Sequence, residues 1–300
     1  MDNSNYNRLC DFLNDFLSRN KQNENIFFIS WPHLLRYHDQ EIKNYKYLNI
    51  YFFQRAFFKI IKLIALILYR LEIFDDSKQY IKKLSKQNLN TIVISHMINP
   101  SQLAYKKDFY FPDIAMTKNT LTCLINHTKL SSEKFSEKLP RNTILLSRKS
   151  DIKTNISIFF KCIRGFIDIQ FQKSRNNYFF LKIQKKIQNE ALSSSTFLNH
   201  SFKKKIKNII KEINPQKVIF TYEGYPFERI IISAAREVSS NIKCVGYQHS
   251  GIFESQNVVY KSFNKKYDPD YVLCTGKITA EYCKKKIENK ETIVKVLGTQ

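Results

Sequence analysis

Short apolar segments alternate with helical segments along the last third of the chain, and this alternation constrains the fold more than any other feature. We predict strands at 218–221, 242–247, 271–274 and 292–297, and helices at 226–238 and 279–287. Short apolar strands separated by helices are typical of parallel βαβ units. The sequence therefore predicts an α/β fold, a Rossmann-like parallel sheet with flanking helices.

The first 216 residues have a similar alternation in a less regular form. We predict helices at 6–21 and 78–87, strands at 25–30, 91–95 and 141–147, and a mostly helical region at 152–213 that breaks near 193–195. The interpretation divides the chain in two. Residues 1–216 form a basic, helix-rich α/β region, and residues 217–300 form a regular βαβ module.

Polar side chains follow the predicted strands of the second region. Glu223 comes just after the strand 218–221, and Gln248 and His249 come just after the strand 242–247. Right-handed crossovers bring such loops to one edge of a parallel sheet, the edge at which ligands bind. We therefore expect Glu223 and His249 at a ligand-binding edge, where a carboxylate or an imidazole can act as a general base.

Each of these side chains can also have a purely structural role. The sequence leaves both the structural and the functional role open. A carboxylate such as Glu223 is favoured near a helix N-terminus by the helix dipole. An ordinary salt bridge is the structural interpretation of the pair Glu228 and Arg229. A lone histidine such as His249 is more often structural than catalytic. The other five histidines show no metal-ligand spacing and receive no role.

Several familiar fingerprints are missing from the sequence. It has no GxGxxG, GxxxxGK[ST], GxSxG or HExxH motif, so it offers no dinucleotide, P-loop, hydrolase or zinc-protease signature. Its six cysteines include no CxxC pair and no zinc-type Cys/His spacing, so no metal site is expected. The N-terminal residues do not resemble a signal peptide. Reduced thiols without an export signal predict a cytoplasmic protein.

The chain is strongly basic, with 49 Lys and Arg against 26 Asp and Glu and a formal net charge of +23. Residues 217–300 hold 13 basic and 9 acidic residues, so +19 of this charge lies in residues 1–216. A field of this size favours an anionic partner, such as nucleic acid, an acidic lipid surface or a phosphorylated substrate. Solvated lysines in a Lys- and Asn-rich chain are the alternative explanation.

The segment 48–74, from Leu48 to Phe74, is rich in apolar residues but is interrupted by Arg55, Lys59 and Lys62. A spanning helix needs roughly 20 mostly apolar residues, so we do not predict one here. The cations recur at helical spacing, as in a basic amphipathic helix that lies on the inner face of the cell membrane. A core-facing helix whose lysines reach water is the alternative.

Four elements in the second region together resemble a group of bacterial surface-carbohydrate biosynthesis proteins of the GT-B glycosyltransferase-like type. They are YEGYPFER at 222–229, GYQHS at 246–250, YDPD at 267–270 and VLGT at 296–299. The resemblance covers residues 217–300, a little over a quarter of the chain, and none of its elements is diagnostic alone. It implies two Rossmann-like domains facing each other across a cleft.

The resemblance implies transfer of a sugar from a nucleotide sugar to a growing glycan or a lipid-linked acceptor, as in capsule or lipopolysaccharide synthesis. Glu223 and His249 are then the candidate catalytic bases. The implied substrate-binding residues are Tyr222, Glu228, Arg229 and Gln248. GT-B enzymes work without a bound metal, so no cofactor is expected beside the nucleotide-sugar substrate.

The resemblance also bears on the end of the sequence. In GT-B proteins a segment like 292–299 ends the first domain and leads into the second. The sequence stops at Gln300. We therefore expect a partial chain, with the acceptor side in residues 1–216, the end of the first domain in 217–300, and the nucleotide-sugar domain absent.

Two other functions remain open on sequence grounds. A sugar-nucleotide epimerase of the same two-domain fold would isomerise its substrate without an acceptor. A nucleic-acid-binding protein would explain the charge of the first 216 residues, but the sequence has no helix-turn-helix, zinc-finger or RNP signature. Nucleic acid is therefore not an expected partner.

Overall fold

The computed structural model describes most of the chain after residue 49. The described residues are 50–71, 76–101, 108–112, 114, 117–128, 139–147, 149–171, 178–250, 259–262 and 265–298. The helix predicted at 6–21 and the strand predicted at 25–30 lie outside them.

Seven strands in the described residues form one sheet with the order β3-β2-β1-β4-β5-β6-β7, and every neighbouring pair is parallel. The strands are β1 (Thr91–Met97), β2 (Thr120–Asn126), β3 (Thr143–Leu146), β4 (Lys217–Thr221), β5 (Lys243–Gln248), β6 (Tyr271–Cys274) and β7 (Ile293–Val296). This sheet confirms the predicted Rossmann-like α/β fold class. It crosses residue 217, so both predicted regions contribute strands to it.

Helices flank the sheet, and the described residues contain seven of them. They are α1 (Ile50–Tyr69), α2 (Asp76–Leu84), α3 (Ile152–Gln170), α4 (Tyr178–Ala191), α5 (Ser194–Ile213), α6 (Pro226–Val238) and α7 (Lys277–Lys286). The region predicted as mostly helical is therefore three helices. Asp151 caps the start of α3 and Ser193 caps the start of α5, each accepting from a backbone N–H three residues on.

The chain order changes direction at the centre of the sheet. From β1 the chain moves outward through β2 and β3, and it then returns to place β4 on the other side of β1. The gap between the carboxyl ends of β1 and β4 is the topological switch point, where open parallel sheets bind their ligands. The residues at the carboxyl ends of these two strands are therefore candidates for ligand binding.

The central strands lie in the main hydrophobic core, which explains their continuous apolar sequences. Ile92 and Ile94 of β1 and Val218 and Phe220 of β4 are buried in one cluster with Ile231 of α6. A second apolar cluster lies among the helices, where Leu63 of α1 meets α3 and α5. Among the described helices, none is long and apolar enough to cross a membrane.

Candidate functional site at the carboxyl edge of the sheet

Three polar side chains form a hydrogen-bonded row across the switch point. Nε2 of His96, on β1, lies 2.9 Å from Oγ1 of Thr221, the last residue of β4. Nδ1 of the same ring lies 2.8 Å from Nε2 of His127, which follows β2 directly. The row Thr221–His96–His127 therefore connects three adjacent strands at their carboxyl ends.

The central ring of this row is uncharged near neutral pH. Burial, with smaller contributions from His127 and His249, lowers the pKa of His96 to about 4. A neutral imidazole carries one N–H, so it donates at one ring nitrogen and accepts at the other. The row can therefore pass a proton between the Thr221 and His127 ends without placing a stable charge on His96.

Aromatic rings enclose this part of the edge. The His96 ring contacts Tyr110 and Phe227 edge-on, with centroid distances of 5.6 and 5.1 Å. Tyr110 also contacts the His249 ring edge-on at 4.6 Å. Phe227 belongs to the first turn of α6, so the helix that follows β4 helps to close the site. The rings of Tyr110 and Phe227 thus form a partly apolar surface next to the imidazole rings at this edge.

The second element of the site is a pair formed by His249 and Glu223. Nε2 of His249 lies 3.3 Å from Oε1 of Glu223, and the two side chains are 25% and 13% exposed. The contact has the distance of an ion pair but not the alignment of a hydrogen bond, since Oε1 of Glu223 has no hydrogen-bond partner. The other ring nitrogen of His249, Nδ1, has no hydrogen-bond partner either. Buried polar atoms without partners are costly, and they are often found at functional sites.

Two opposing effects act on the protonation of His249. Burial lowers its pKa below the usual value, and the negative charge of Glu223 partly offsets this effect. The imidazole is therefore largely unprotonated at neutral pH and stands beside a carboxylate that stabilises its protonated form. This combination suits a general base that removes a proton from a hydroxyl group.

Glu228, a predicted substrate-binding residue, is fully buried and turned toward its own loop. Its carboxylate accepts hydrogen bonds from the backbone N–H groups of Glu223, Gly224 and Tyr225 at 2.7, 2.7 and 3.0 Å. Burial raises its pKa to about 8 against the opposing effect of these bonds. Three backbone N–H groups just before α6 are thus occupied by the protein itself and are not available to an external anion.

Arg229 and Tyr222, also predicted to bind substrate, have internal partners. The Arg229 guanidinium donates to Asp268 Oδ1 at 2.6 Å and to the backbone carbonyls of Tyr267 and Lys261. Tyr222 is buried and donates its hydroxyl to the Val259 carbonyl at 3.3 Å. These contacts hold the loops after β4 and before β6 together. The binding roles themselves stay predictions.

Gln248 is the last residue of β5 and is fully buried. Its Nε2 atom donates to Ser250, to the carbonyl at 3.3 Å and to the hydroxyl at 3.4 Å, whereas its Oε1 has no hydrogen-bond partner. The structure thus brings Glu223 and His249 together, with Gln248 in the strand beside them. The side chains of Tyr222, Glu228 and Arg229 are instead buried and bonded to other parts of the protein.

The sequence interpretation missed His96 and His127. The sequence signal that could have found His96 is its position near the end of an apolar strand. His127 gave no such signal because β2 was not predicted. The described residues contain no group of three or more His, Cys, Asp or Glu side chains that could hold a metal ion.

The chain was also compared with known proteins. No family model, no curated protein and no solved structure matches it.

Proposed function

We propose that this chain forms the acceptor side of a glycosyltransferase of cell-surface polysaccharide synthesis, which transfers a sugar from a nucleotide sugar to a glycan or lipid-linked acceptor. The observation that carries the proposal is the contact between His249 and Glu223, 3.3 Å apart at the carboxyl edge of the sheet. The topology supports it, since this edge is where a Rossmann-like sheet binds its ligands.

In the proposed reaction the His249–Glu223 pair takes the proton from the acceptor hydroxyl. The acceptor oxygen then forms a bond to the anomeric carbon of the donor sugar, while the bond from that carbon to the nucleoside diphosphate breaks. The diphosphate leaves with the bonding electron pair, and the proton stays on His249 next to the Glu223 charge. Catalytic contacts often tighten only when the substrate is bound, which is compatible with the imperfect alignment of this pair.

The start of α6 supports assigning the acceptor, rather than the nucleotide, to this edge. A nucleotide diphosphate binds readily to free backbone N–H groups at a helix N-terminus. Here Glu228 already accepts from the N–H groups of Glu223, Gly224 and Tyr225. These three N–H groups are therefore not available to a diphosphate, whereas an acceptor hydroxyl can approach His249.

The experiment is a transfer assay on the protein made from its complete reading frame. Uridine, guanosine and cytidine nucleotide sugars with a labelled sugar are incubated with simple saccharides or with a saccharide linked to polyprenyl diphosphate, both of which offer a sugar hydroxyl as acceptor. Labelled product together with released nucleoside phosphate supports the proposal. If the wild-type protein consumes none of these nucleotide sugars, the result contradicts the proposal. Isomerised nucleotide sugar formed without an acceptor favours the epimerase instead.

A further inference from the structure

Helix α1 exposes an apolar stripe next to its packed face. Phe53, Phe57, Ile61, Ile64 and Leu68 recur at intervals of three or four residues and are all exposed, with Phe57 at 61%. The packed face of the same helix contributes Ala56 and Leu63 to the apolar cluster among the helices. The helix is therefore apolar on two faces, and the core uses one of them.

Helix α3 repeats this arrangement. Ile152, Ile156, Phe160, Ile167 and Phe171, at its end, are exposed, with Phe160 at 62%. Its buried side chains Ile158 and Cys162 lie in the same cluster as Leu63 of α1. Two helices that share a cluster thus both direct a second apolar stripe outward. We call these two stripes together the α1–α3 face.

An exposed face of this composition indicates an interaction surface. Single exposed apolar residues are ordinary on protein surfaces, but large contiguous apolar areas mark sites for partners or membranes. The aromatic share of the α1–α3 face is high, and aromatic rings are favoured at the boundary between lipid and water.

The charges around the face decide which partner fits it. Lys59 turns inward, since its Nζ donates to the Asn189 carbonyl at 2.6 Å and lies 3.4 Å from Glu190. Arg55 and Lys62 remain exposed, and α1 has no acidic residue. On α3, three exposed basic residues accompany a single acid, Asp168, which lies 3.7 Å from Arg164. The exposed surface of the two helices is therefore apolar along the stripes and has a surplus of basic side chains elsewhere, as in a basic amphipathic helix.

We infer that the α1–α3 face docks the protein on an anionic lipid bilayer. The apolar stripes enter the boundary between headgroups and acyl chains, and the cations meet the lipid phosphates. A second copy of the chain fits less well, because it would bring two cationic faces together. This inference is independent of the proposed sugar transfer, since docking needs neither donor nor acceptor.

The test is sedimentation of the full chain with vesicles, without any substrate. Vesicles of phosphatidylcholine with about a third phosphatidylglycerol are compared with vesicles of phosphatidylcholine alone, at low and at high salt. We expect binding to the anionic vesicles, little binding to the neutral ones, and weaker binding at high salt because salt screens the attraction. Absence of binding to anionic vesicles at low salt overturns the inference.

Variants then locate the surface. Phe57→Asp and Phe160→Asp are each expected to weaken binding on the order of tenfold, since each replaces an inserted apolar ring with a charge of the wrong sign. Ile278→Asp is the matched control, because Ile278 is 86% exposed on α7, outside the face. Unchanged binding in both Phe variants overturns the inference, as does an equal loss in Ile278→Asp.

Both Phe side chains are exposed, so their replacement should leave the fold intact, and the circular dichroism spectrum and melting temperature verify this. Self-association is the remaining outcome, measured by light scattering over a range of concentrations. Dimers that disappear in Phe57→Asp, in the absence of vesicle binding, would assign the face to a second copy and overturn the lipid proposal.

Discussion

His249 Nε2 and Glu223 Oε1 lie 3.3 Å apart although their residues belong to different loops. Glu223 follows β4 and His249 follows β5, and these two strands are neighbours in the sheet. The parallel pairing of β4 with β5 therefore creates the contact, because it brings two post-strand loops to the same edge. Next to this pair, the row of His96, His127 and Thr221 lines the switch point.

The charge of Glu223 should raise the pKa of His249 and so partly offset the effect of burial. Burial lowers this pKa and the Glu223 carboxylate raises it, so Glu223→Gln should lower it further. The measurement is an NMR titration of the His249 ring protons in both proteins. Glu291→Gln is the control, because Glu291 is an exposed partner of Lys265. An unchanged or increased His249 pKa in Glu223→Gln would show that the two groups do not interact.

His200 should make the protein less stable in acid. Burial, followed by the charges of Lys161 and Lys203, lowers its pKa to about 3 from 6.5. Between these values the unfolded chain binds a proton that the folded protein does not, so stability falls as the pH drops from 6.5 towards 3. The free energy of unfolding should fall by up to about 1.4 kcal/mol per pH unit through this residue.

The measurement is urea unfolding at several pH values, with His200→Gln for comparison. The variant should show a shallower loss of stability with falling pH, even if its stability at neutral pH is lower. Because His96 also has a lowered pKa, some dependence should remain in the variant. Equal slopes for the two proteins would contradict a neutral, buried His200.

Arg229 should be a major determinant of stability. It is buried, and it pairs with the buried Asp268 at 2.6 Å. Arg229→Ala leaves the Asp268 charge buried without this partner and should cost about 3–5 kcal/mol in the free energy of unfolding. The matched variant Arg164→Ala removes a guanidinium that is 71% exposed and should cost about 0.5 kcal/mol or less. Similar losses in the two variants would contradict this account.

Gly246 should not tolerate a side chain. A Cβ atom at this position would lie 2.7 Å from Cβ of the buried Tyr222. Gly246→Ala should therefore destabilise the protein by about 1–3 kcal/mol, because neither β5 nor the buried Tyr222 side chain can move without disturbing the core. Gly276→Ala is the control, since nothing lies within 4 Å of its added Cβ, and it should cost less than about 1 kcal/mol. Thermal unfolding of both variants distinguishes them.

The regular module at residues 217–300 was predictable from sequence because its strands are short and mostly apolar. The helix 226–238 and the strand 271–274 have the predicted bounds. Strand β2 was missed because threonines alternate with its first apolar residues. Thr120 and Thr122 are nevertheless buried, inside a strand with neighbours on both sides.

That missed strand also explains the missed histidines. The pairing of β1 with β2 places His96 opposite Ile125, two residues before His127. Without β2, no pattern connects residues 31 positions apart in the sequence. The internal contacts of Glu228 and Arg229 were equally hidden, because loop position does not show whether a charged side chain points to a ligand or to the backbone. The same holds for Lys59, whose partner Glu190 is 131 residues away.

The most direct test of the central claim is the rate of sugar transfer in variants of the His249–Glu223 pair. The account predicts that His249→Ala lowers the rate at least about 100-fold and that Glu223→Gln lowers it less, with both proteins folded and Glu291→Gln at the wild-type rate. Transfer at the wild-type rate in His249→Ala and Glu223→Gln would remove the pair from the reaction and contradict the account.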